Sequence, residues 1–215
     1  MSSKSARPPG QDSPAAAGVG PPEAGAERGT GLPPVLSAYS VCETLRDGTT
    51  VVIRAIRPDD KTRLSRGFER LSAQTVYFRF LAAKKRLSDE ELVHLTELDF
   101  VRHVGLAATI GEGEEERFIG VGRYVASVEG GERPERAEVA FVVADDWQGK
   151  GIGRLLLRHL MGIARAADIL EFEAEVLGRN RRMLKVFASE GREVNVSVES
   201  GMIRVLFSTA AVPGR

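Results

Sequence analysis

The spacing of apolar side chains changes along the chain from a helical to an alternating pattern and back again. Between residues 59 and 98, apolar positions recur every three or four residues, as they do on amphipathic helices. Between residues 103 and 143 they gather in short β-branched runs bounded by glycine-rich or acidic turns, which is typical of strands. Helical spacing returns from Ile152 onward. The pattern therefore predicts helices, then antiparallel strands, then a strand–helix–strand unit.

Turn and capping residues give approximate bounds for these elements. Asp60 and Ser72 fit N-cap positions, and Ser88 with Glu91 fits a capping box. Three helices are predicted to follow these caps, a fourth begins at Ile152, and a fifth covers 180–190 and ends at Gly191. The predicted strands cover residues 49–56, 103–110, 117–128, 138–143, 170–177, 194–198 and 202–207, with turns at 111–116 and 130–134.

The order of these elements predicts an α/β fold of the mixed α+β kind. A strand–helix–strand unit makes a parallel, right-handed crossover, whereas strands joined by short turns pair antiparallel. We therefore expect a central mixed, mostly antiparallel sheet flanked by helices. Residues 1–38 hold seven of the ten prolines and few apolar side chains, so we expect a disordered tail followed by one domain over 39–210.

Composition and charge narrow the possible partners. The 30 basic and 30 acidic residues balance, so no global field favours nucleic acid or an anionic membrane. No apolar run approaches the ~20 residues of a membrane span, and residues 1–38 contain no secretory h-region. Cys42 is the only cysteine, and the histidines lack metal-ligand spacing. We expect a soluble cytoplasmic protein without a metal, and the choice between monomer and dimer stays open.

A glycine-rich loop between a predicted strand and a predicted helix carries the clearest chemistry. A helix start leaves about four backbone N–H groups without internal partners and bears a partial positive charge. Glycines let that backbone approach an anion closely, and Lys150 and Arg154 add positive charge. These features predict a pyrophosphate site. The loop reads Gln148-Gly149-Lys150-Gly151-Ile152-Gly153-Arg154.

Other phosphate loops fit this segment less well. A Walker A loop requires Gly-x-x-x-x-Gly-Lys-Ser/Thr, and a Rossmann fingerprint requires Gly-x-Gly-x-x-Gly. The spacing here is Gly149-x-Gly151-x-Gly153, which matches neither pattern. A flexible turn without a ligand remains the alternative, although three glycines in five residues at a helix start are costly without a reason.

The pattern Gln148-x-x-Gly151-x-Gly153 resembles the Gln/Arg-x-x-Gly-x-Gly/Ala signature of the GNAT family of N-acetyltransferases. The resemblance covers roughly residues 50–208, and within the family the chain is most similar to bacterial protein lysine acetyltransferases (Pat-like) that modify acyl-CoA synthetases. Those enzymes often carry a regulatory cyclic-nucleotide or synthetase-like domain, and nothing in this sequence corresponds to one. The segments that carry the Pat-like resemblance are residues 45–48, 53–60, 77–80 and 137–143.

The resemblance implies direct transfer of an acetyl group from acetyl-CoA to an amine. It implies that residues 148–154 hold the cofactor and that the backbone of Val143 bonds the pantetheine arm like an added strand. Asn180 fits an N-cap on sequence grounds, and the resemblance adds a contact with the pantetheine. Many family members have a tyrosine near Phe187 that protonates the leaving thiolate. Phenylalanine cannot do so, which leaves the general acid undefined and makes core packing the expectation for Phe187.

Glu138 is the candidate general base. A lysine amine is mostly protonated near pH 7, and removing its proton costs roughly 4–5 kcal/mol, so a carboxylate near the acceptor would help. Glu138 lies ten positions before Gln148 on a predicted strand, where the family often has its base. The alternative is a solvated carboxylate paired with Arg136 or Arg123. Weaker candidates for the base are Glu135 and Glu173.

The sequence leaves the acceptor open. A protein lysine, which the resemblance would place on an acyl-CoA synthetase, competes with a small amine and with a non-catalytic acyl-CoA-binding sensor. A Rossmann-like nucleotide binder is a distant fourth alternative. Core packing is the expected role of Tyr77, Phe78 and Phe80, although the helical region that holds them usually forms the acceptor wall in the family. Trp147 is expected to pack over the loop rather than serve the cofactor, and His94, His103 and His159 are expected to be surface or satisfied core residues.

Overall fold

A single eight-stranded sheet organises the part of the chain that the structure describes, which is residues 35–126, 135–190, 194–199 and 201–210 of a computed structural model. The strands are β1 (Ser40–Thr44), β2 (Thr50–Ala55), β3 (His103–Ile110), β4 (Arg117–Ala126), β5 (Arg136–Val143), β6 (Glu171–Leu177), β7 (Val194–Glu199) and β8 (Met202–Ser208). The helices are α1 (Lys61–Glu69), α2 (Ala73–Phe80), α3 (Asp89–Thr96), α4 (Ile152–Ala166) and α5 (Arg181–Phe187).

The strand order across the sheet is β1-β2-β3-β4-β5-β6-β8-β7. Every pair of neighbouring strands is antiparallel except β5 and β6, which are parallel and joined through α4. The mixed, mostly antiparallel sheet with one crossover confirms the predicted fold class. The parallel pair is short, because its register runs only from Arg136 opposite Glu171 to Glu138 opposite Glu173.

Two apolar layers cover the faces of the sheet. On one face α4 buries Leu156, Leu157 and Leu160 against the strands, and its apolar residues recur at helical spacing as predicted. On the other face α1, α2 and α3 form a smaller core with β3 and β4, around Phe68. Gly120 on β4 allows α4 to approach closely, since a Cβ there would lie 2.7 Å from Cγ2 of Ile152.

Most of the predicted caps are present. The Ser72 hydroxyl accepts the N–H of Thr75 at the start of α2, and Ser88 with Glu91 forms the expected capping box of α3. The predicted capping role of Asp60 is wrong, because its side chain makes no capping hydrogen bond to α1. Asp60 is instead buried with Arg54, which donates to both of its carboxylate oxygens. An ionic partner inside the core outweighs the local capping preference.

Several element predictions are corrected or lie outside the described residues. Strand β1 was not predicted, and β5 begins at Arg136 rather than at Glu138. The expected end of β4 at 127–128, the turn at 130–134 and the stop at Gly191 fall on residues that are not described, as does most of the predicted tail. Within the described ranges no helix has both the length and the apolar content needed to cross a membrane.

Candidate active site

A gap opens in the sheet where β5 and β6 separate. Their pairing stops at Glu138 and Glu173, although β5 continues to Val143. The second half of β5 therefore bonds β4 on one side and, among the described strands, has no partner on the other. Since Ala144 N–H donates to Ile119 on β4, the N–H of Val143, one residue earlier, faces the gap. This edge can pair with an extended, amide-bearing ligand as an added strand would.

The start of α4 lies at the end of the same gap. Gly149 and Gly151 have positive φ angles of 80° and 96°, a conformation that favours glycine. Gly151 is the N-cap residue and supplies no side-chain cap, so the first N–H groups of α4 keep their bonding capacity for a ligand. The predicted phosphate-binding geometry is thus present: an uncapped helix start preceded by a backbone that a bulky residue would not adopt.

Gln148 ties the loop to three other elements. Its amide nitrogen donates to the Val143 carbonyl and to the Thr75 hydroxyl of α2, both at 3.1 Å. Its amide oxygen accepts from Arg182 of α5. The side chain that carries the sequence signature thus fixes the loop against β5, α2 and α5, which is a positioning role in addition to any contact with a ligand.

A cleft of about 720 Å³ runs along the gap and the helix start. It is bordered by most of the predicted cofactor residues: Val143, Gln148, Gly149, Gly151, Ile152, Gly153, Arg154 and Asn180. It is also bordered by cations that the sequence analysis did not single out, namely Arg179, Arg181, Arg182 and Lys185. The sequence signal for these cations was the run of basic residues directly after β6. It leads into the start of α5, which faces the glycine loop.

Lys150 differs from its predicted place. It does not border the cleft, and its ammonium group lies 3.1 Å from the Asp47 carboxylate and 5.1 Å from the centre of the Trp147 ring. Trp147 is partly buried against the main core and borders the cleft as well, so the expected packing role is present.

Asn180 and Phe187 occupy the positions that local sequence rules predict. The Asn180 side chain accepts the N–H of Met183 at 3.2 Å, which confirms the N-cap of α5, and it also borders the cleft. Phe187 is buried, with its ring centre 6.0 Å from that of Phe141 and 5.3 Å from that of Phe207. Core packing is therefore confirmed for Phe187.

The aromatic residues of α2 divide between core and surface. Phe80 packs edge-on against Phe68, as expected. Phe78 borders the cleft, and Tyr77 is 37% exposed, so the prediction of core packing is wrong for Tyr77. The Arg179 guanidinium lies over both rings, 5.0 Å from the centre of Tyr77 and 5.7 Å from that of Phe78. A cation–π contact gives these rings a reason to stay near the surface.

Glu138 is exposed on β5 at the point where the two strands separate. Neither expected partner pairs with it: Arg136 bridges to Glu171 and Glu173, and Arg123 bonds His103 and the Leu95 carbonyl. Within the described residues, Glu138 forms no ion pair. It borders a second pocket of about 220 Å³, and Arg79 borders both this pocket and the larger cleft. Glu138 thus lies beside the end of the cleft.

The competing carboxylates are held differently. Glu173 bonds Arg204, and it also lies 3.8 Å from Arg136. Glu135 is exposed before β5, where its backbone carbonyl accepts from Leu170 and Glu171. Neither residue borders the two pockets described above. The geometry therefore favours Glu138 among the three candidates.

The residues present fit acetyl-CoA. An uncapped helix start and neighbouring arginines suit a pyrophosphate, and the free edge of β5 suits the amides of a pantetheine arm. Val143 and Asn180 border the cleft and are the residues that would hold such an arm. Among the described residues, no three metal-ligating side chains lie together.

Comparison with known proteins identifies the same chemistry. The sequence model of the Acetyltransferase (GNAT) family matches residues 73–191. An acetyltransferase from Pseudomonas aeruginosa is 36% identical over 141 residues, which make up 66% of this chain and 74% of that protein. Acetyltransferase Pat from Mycolicibacterium smegmatis is 34% identical over 142 residues, which make up 66% of this chain and only 41% of that protein.

Solved structures agree with the sequence comparison. The GNAT domain of S. lividans PAT has a TM-score of 0.73 and is 40% identical, covering 79% of this chain and 96% of that one. An acetyltransferase-fold protein from Salmonella typhimurium, solved with its cofactor acetyl-CoA, shares the fold at a TM-score of 0.57 and 19% identity over 76% of this chain and 96% of that one. The family model matches more than half of the chain, and the open β5 edge and the glycine loop agree with that match. The chain therefore belongs to the acetyltransferase (GNAT) family.

Proposed function

We propose that this acetyltransferase moves an acetyl group from acetyl-CoA to a lysine side chain of a protein, with Glu138 as the general base. The observation that carries the proposal is the position of Glu138, an exposed carboxylate at the point where β5 and β6 separate, beside the end of the cleft. A lysine extended from the surface of another protein can reach an exposed carboxylate without having to enter an enclosed pocket.

The chain's own residues supply binding, positioning and proton transfer. The start of α4 and the neighbouring arginines hold the phosphates, and the edge of β5 holds the arm, so the thioester is fixed next to Glu138. Acetyl-CoA supplies the acetyl group: the amine nitrogen bonds its carbonyl carbon, the C–S bond breaks, the thiolate leaves, and the nitrogen gives up its remaining surplus proton to water as the amide forms. Glu138 takes the ammonium proton, directly or through one water, which supplies the neutral amine.

No tyrosine is required for the leaving group. Phe187 is buried in the core and cannot donate a proton. Since a thiol has a pKa near ~8.5, the departing thiolate is a fair leaving group and can take its proton from solvent.

The preference for a protein acceptor rests on similarity to Pat. The chain is 40% identical to the GNAT domain of S. lividans PAT and 34% identical to Acetyltransferase Pat from M. smegmatis. It spans 41% of the length of the latter, so the regulation of that longer protein is not carried over. Acyl-CoA synthetases are the acceptor proteins that we propose to test first, because the sequence resembles acetyltransferases that modify them.

Incubation with labelled acetyl-CoA and a panel of acceptors tests this proposal. The panel should contain folded acyl-CoA synthetases, unrelated lysine-rich proteins and small amines. We expect label on one lysine of a synthetase, located by mass spectrometry. Labelling of a small amine alone would identify a small-molecule acetyltransferase. Tight binding of acetyl-CoA without any transfer would instead support the sensor alternative.

A further inference from the structure

The pocket beside Glu138 contains more buried positive charge than a simple lysine entrance needs. It lies between α2, α3 and the strands β3, β4 and β5, next to the cofactor cleft. Its charged and titratable residues are Arg79, Glu91, His94, His103, Arg123 and Glu138. Arg79 lies in the segment Tyr77-Phe78-Arg79-Phe80, which the proposed mechanism leaves without a role.

Arg123 is a buried cation, only 6% exposed. Its guanidinium lies 3.2 Å from Nε2 of His103 and 3.3 Å from the Leu95 carbonyl. Burial, reinforced by the positive charge of Arg79, lowers the pKa of Arg123 to about 9. Burial and Arg123 lower the pKa of His103 to about 4, so His103 is neutral near pH 7 and contributes no charge to the pocket.

Arg79 is the cation with unused bonding capacity. Burial lowers the pKa of its guanidinium, and the charge of Glu138 only partly opposes that effect. In the described ranges, Arg79 makes no hydrogen bond and no ion pair, and its closest aromatic contact is the ring of Phe80 at 5.1 Å. A guanidinium has five N–H donors in a planar fork that fits a carboxylate.

The charges facing these two arginines do not balance them. Glu91 is held by Lys84 at 2.5 Å, and Glu138 is exposed and is the residue proposed to bind the incoming amine. Arg79 lies close enough to Arg123 to lower its pKa, and two partly desolvated cations so placed gain strongly from an anion bound between them.

We propose that Arg79 and Arg123 form a subsite for a carboxylate that the acceptor chain carries next to its acceptor lysine. The inference rests on the proposed function and adds an acceptor sequence preference to it. Arg79 supplies the free fork, while Arg123, partly occupied by His103 and Leu95, adds charge and support. An Asp or Glu beside the lysine would bind here and place the amine at Glu138.

The test uses two blocked pentapeptides with norleucine, an uncharged and unreactive lysine mimic, at the centre. One peptide has Glu on both sides of the norleucine and the other has Gln. Binding to the chain loaded with coenzyme A is measured by calorimetry. We expect the Glu peptide to bind about tenfold more tightly, since a charge-assisted bidentate contact is involved. Arg79→Gln should abolish the preference, Arg79→Lys should retain part of it, and the exposed Arg86→Gln control should keep it in full.

Equal affinities for the two peptides, no binding of the Glu peptide, or a full preference in Arg79→Gln would overturn the inference. Thermal unfolding and coenzyme A binding of each variant check that its fold and its cofactor cleft are intact. The corresponding lysine peptides, incubated with acetyl-CoA, separate this inference from the proposed function. A preference for Glu without acetylation of any lysine would leave the subsite standing and remove protein lysine as the acceptor.

Discussion

Glu138 and Glu173 lie opposite each other in the β5–β6 pair, yet their surroundings differ. Glu173 is engaged by Arg136 and Arg204, so its oxygens are occupied and its charge is neutralised. Glu138 forms no such pair within the described residues and lies against the pocket that contains Arg79. A base must be able to accept a proton from an incoming amine. Of these two carboxylates, Glu138 is the one that retains that capacity.

Gly151→Ala should weaken acetyl-CoA binding by about tenfold. The residue has a φ of 96°, and a side chain in the left-handed region costs about 1–2 kcal/mol, so the loop would shift to relieve it. Isothermal titration with acetyl-CoA measures the effect.

Gly162→Ala in α4 is the matched control, because a Cβ there meets only ordinary contacts. It should raise stability by roughly 0.5–1 kcal/mol and leave acetyl-CoA binding unchanged. Unaltered binding in Gly151→Ala would show that the backbone of the loop does not form the phosphate site.

The sequence could point to the loop residues because they are contiguous and their chemistry is local. The residues of the second pocket come from α2, α3, β3, β4 and β5, and their proximity depends on how the helices pack on the sheet. Spacing alone could therefore suggest Glu138 but could not place Arg79 and Arg123 beside it. Lys150 shows the opposite case: its charge was apparent, but the neighbouring Asp47 binds it.

At the scale of secondary-structure elements, a joint formed by Asp145, Ser72 and Thr75 connects α2 to the loop before α4. The Asp145 carboxylate accepts from the backbone N–H and the hydroxyl of Ser72 and from the hydroxyl of Thr75, at 2.7 to 2.9 Å. Burial opposes its charge, but these bonds outweigh that effect and lower the pKa of Asp145. One carboxylate thus holds the start of α2 against the cofactor loop.

Asp145→Ala should lower the free energy of unfolding by about 1–2 kcal/mol, because it removes the bonds at the start of α2. Acetyl-CoA binding should weaken as well, since Thr75 also bonds Gln148 of the loop. Chemical denaturation and titration with acetyl-CoA measure the two effects.

The neighbouring Asp146→Ala serves as the control for Asp145→Ala. Asp146 is exposed too, but its carboxylate makes no hydrogen bond within the described part of the chain, so both quantities should stay close to those of the wild type. Equal effects of the two substitutions would contradict the assigned role of the joint.

The elements with strong periodicity were predicted almost completely, and the weak ones were not. Helix α4 and the β7–β8 hairpin follow clear apolar patterns. The parallel crossover follows from the order of β5, α4 and β6 along the chain. Strand β1 is short and lies at the edge of the sheet, with alternate residues exposed, so its sequence resembles a loop. The N-cap role of Asp60 was predicted wrongly because its partner Arg54 lies on the preceding strand β2, and a capping rule considers only residues at the start of the helix.

At the scale of the whole molecule, two partly buried histidines couple stability to pH. Burial lowers the pKa of His159, which bonds Tyr39 and Glu43, and it lowers the pKa of His103 to about 4. His103 is therefore neutral near pH 7 in the folded chain, and both histidines bind a proton more readily when unfolded, where the pKa is near 6.5. Their contribution to stability is therefore complete above about pH 6.5 and is lost as the pH falls toward 4.

The melting temperature should accordingly fall between pH 7 and pH 5, and His103→Gln should reduce the slope. Glutamine offers an amide oxygen that can still accept from Arg123. Paired carboxylates such as Asp60 and Asp99, whose pKa values are lowered, lose their contribution only below about pH 4. Thermal unfolding across this pH range checks the prediction, and an unchanged slope in His103→Gln would contradict it.

The central claim is that the gap between β5 and β6 holds acetyl-CoA with its thioester beside Glu138 as the base. The most direct measurement is the single-turnover rate of acetyl transfer to the best-labelled acceptor, with acetyl-CoA affinity determined on the same samples. Glu138→Gln should slow transfer by about 10² or more at unchanged affinity, and Glu173→Gln should transfer at the wild-type rate. Wild-type transfer by Glu138→Gln, or an equal loss in both variants, would contradict the claim.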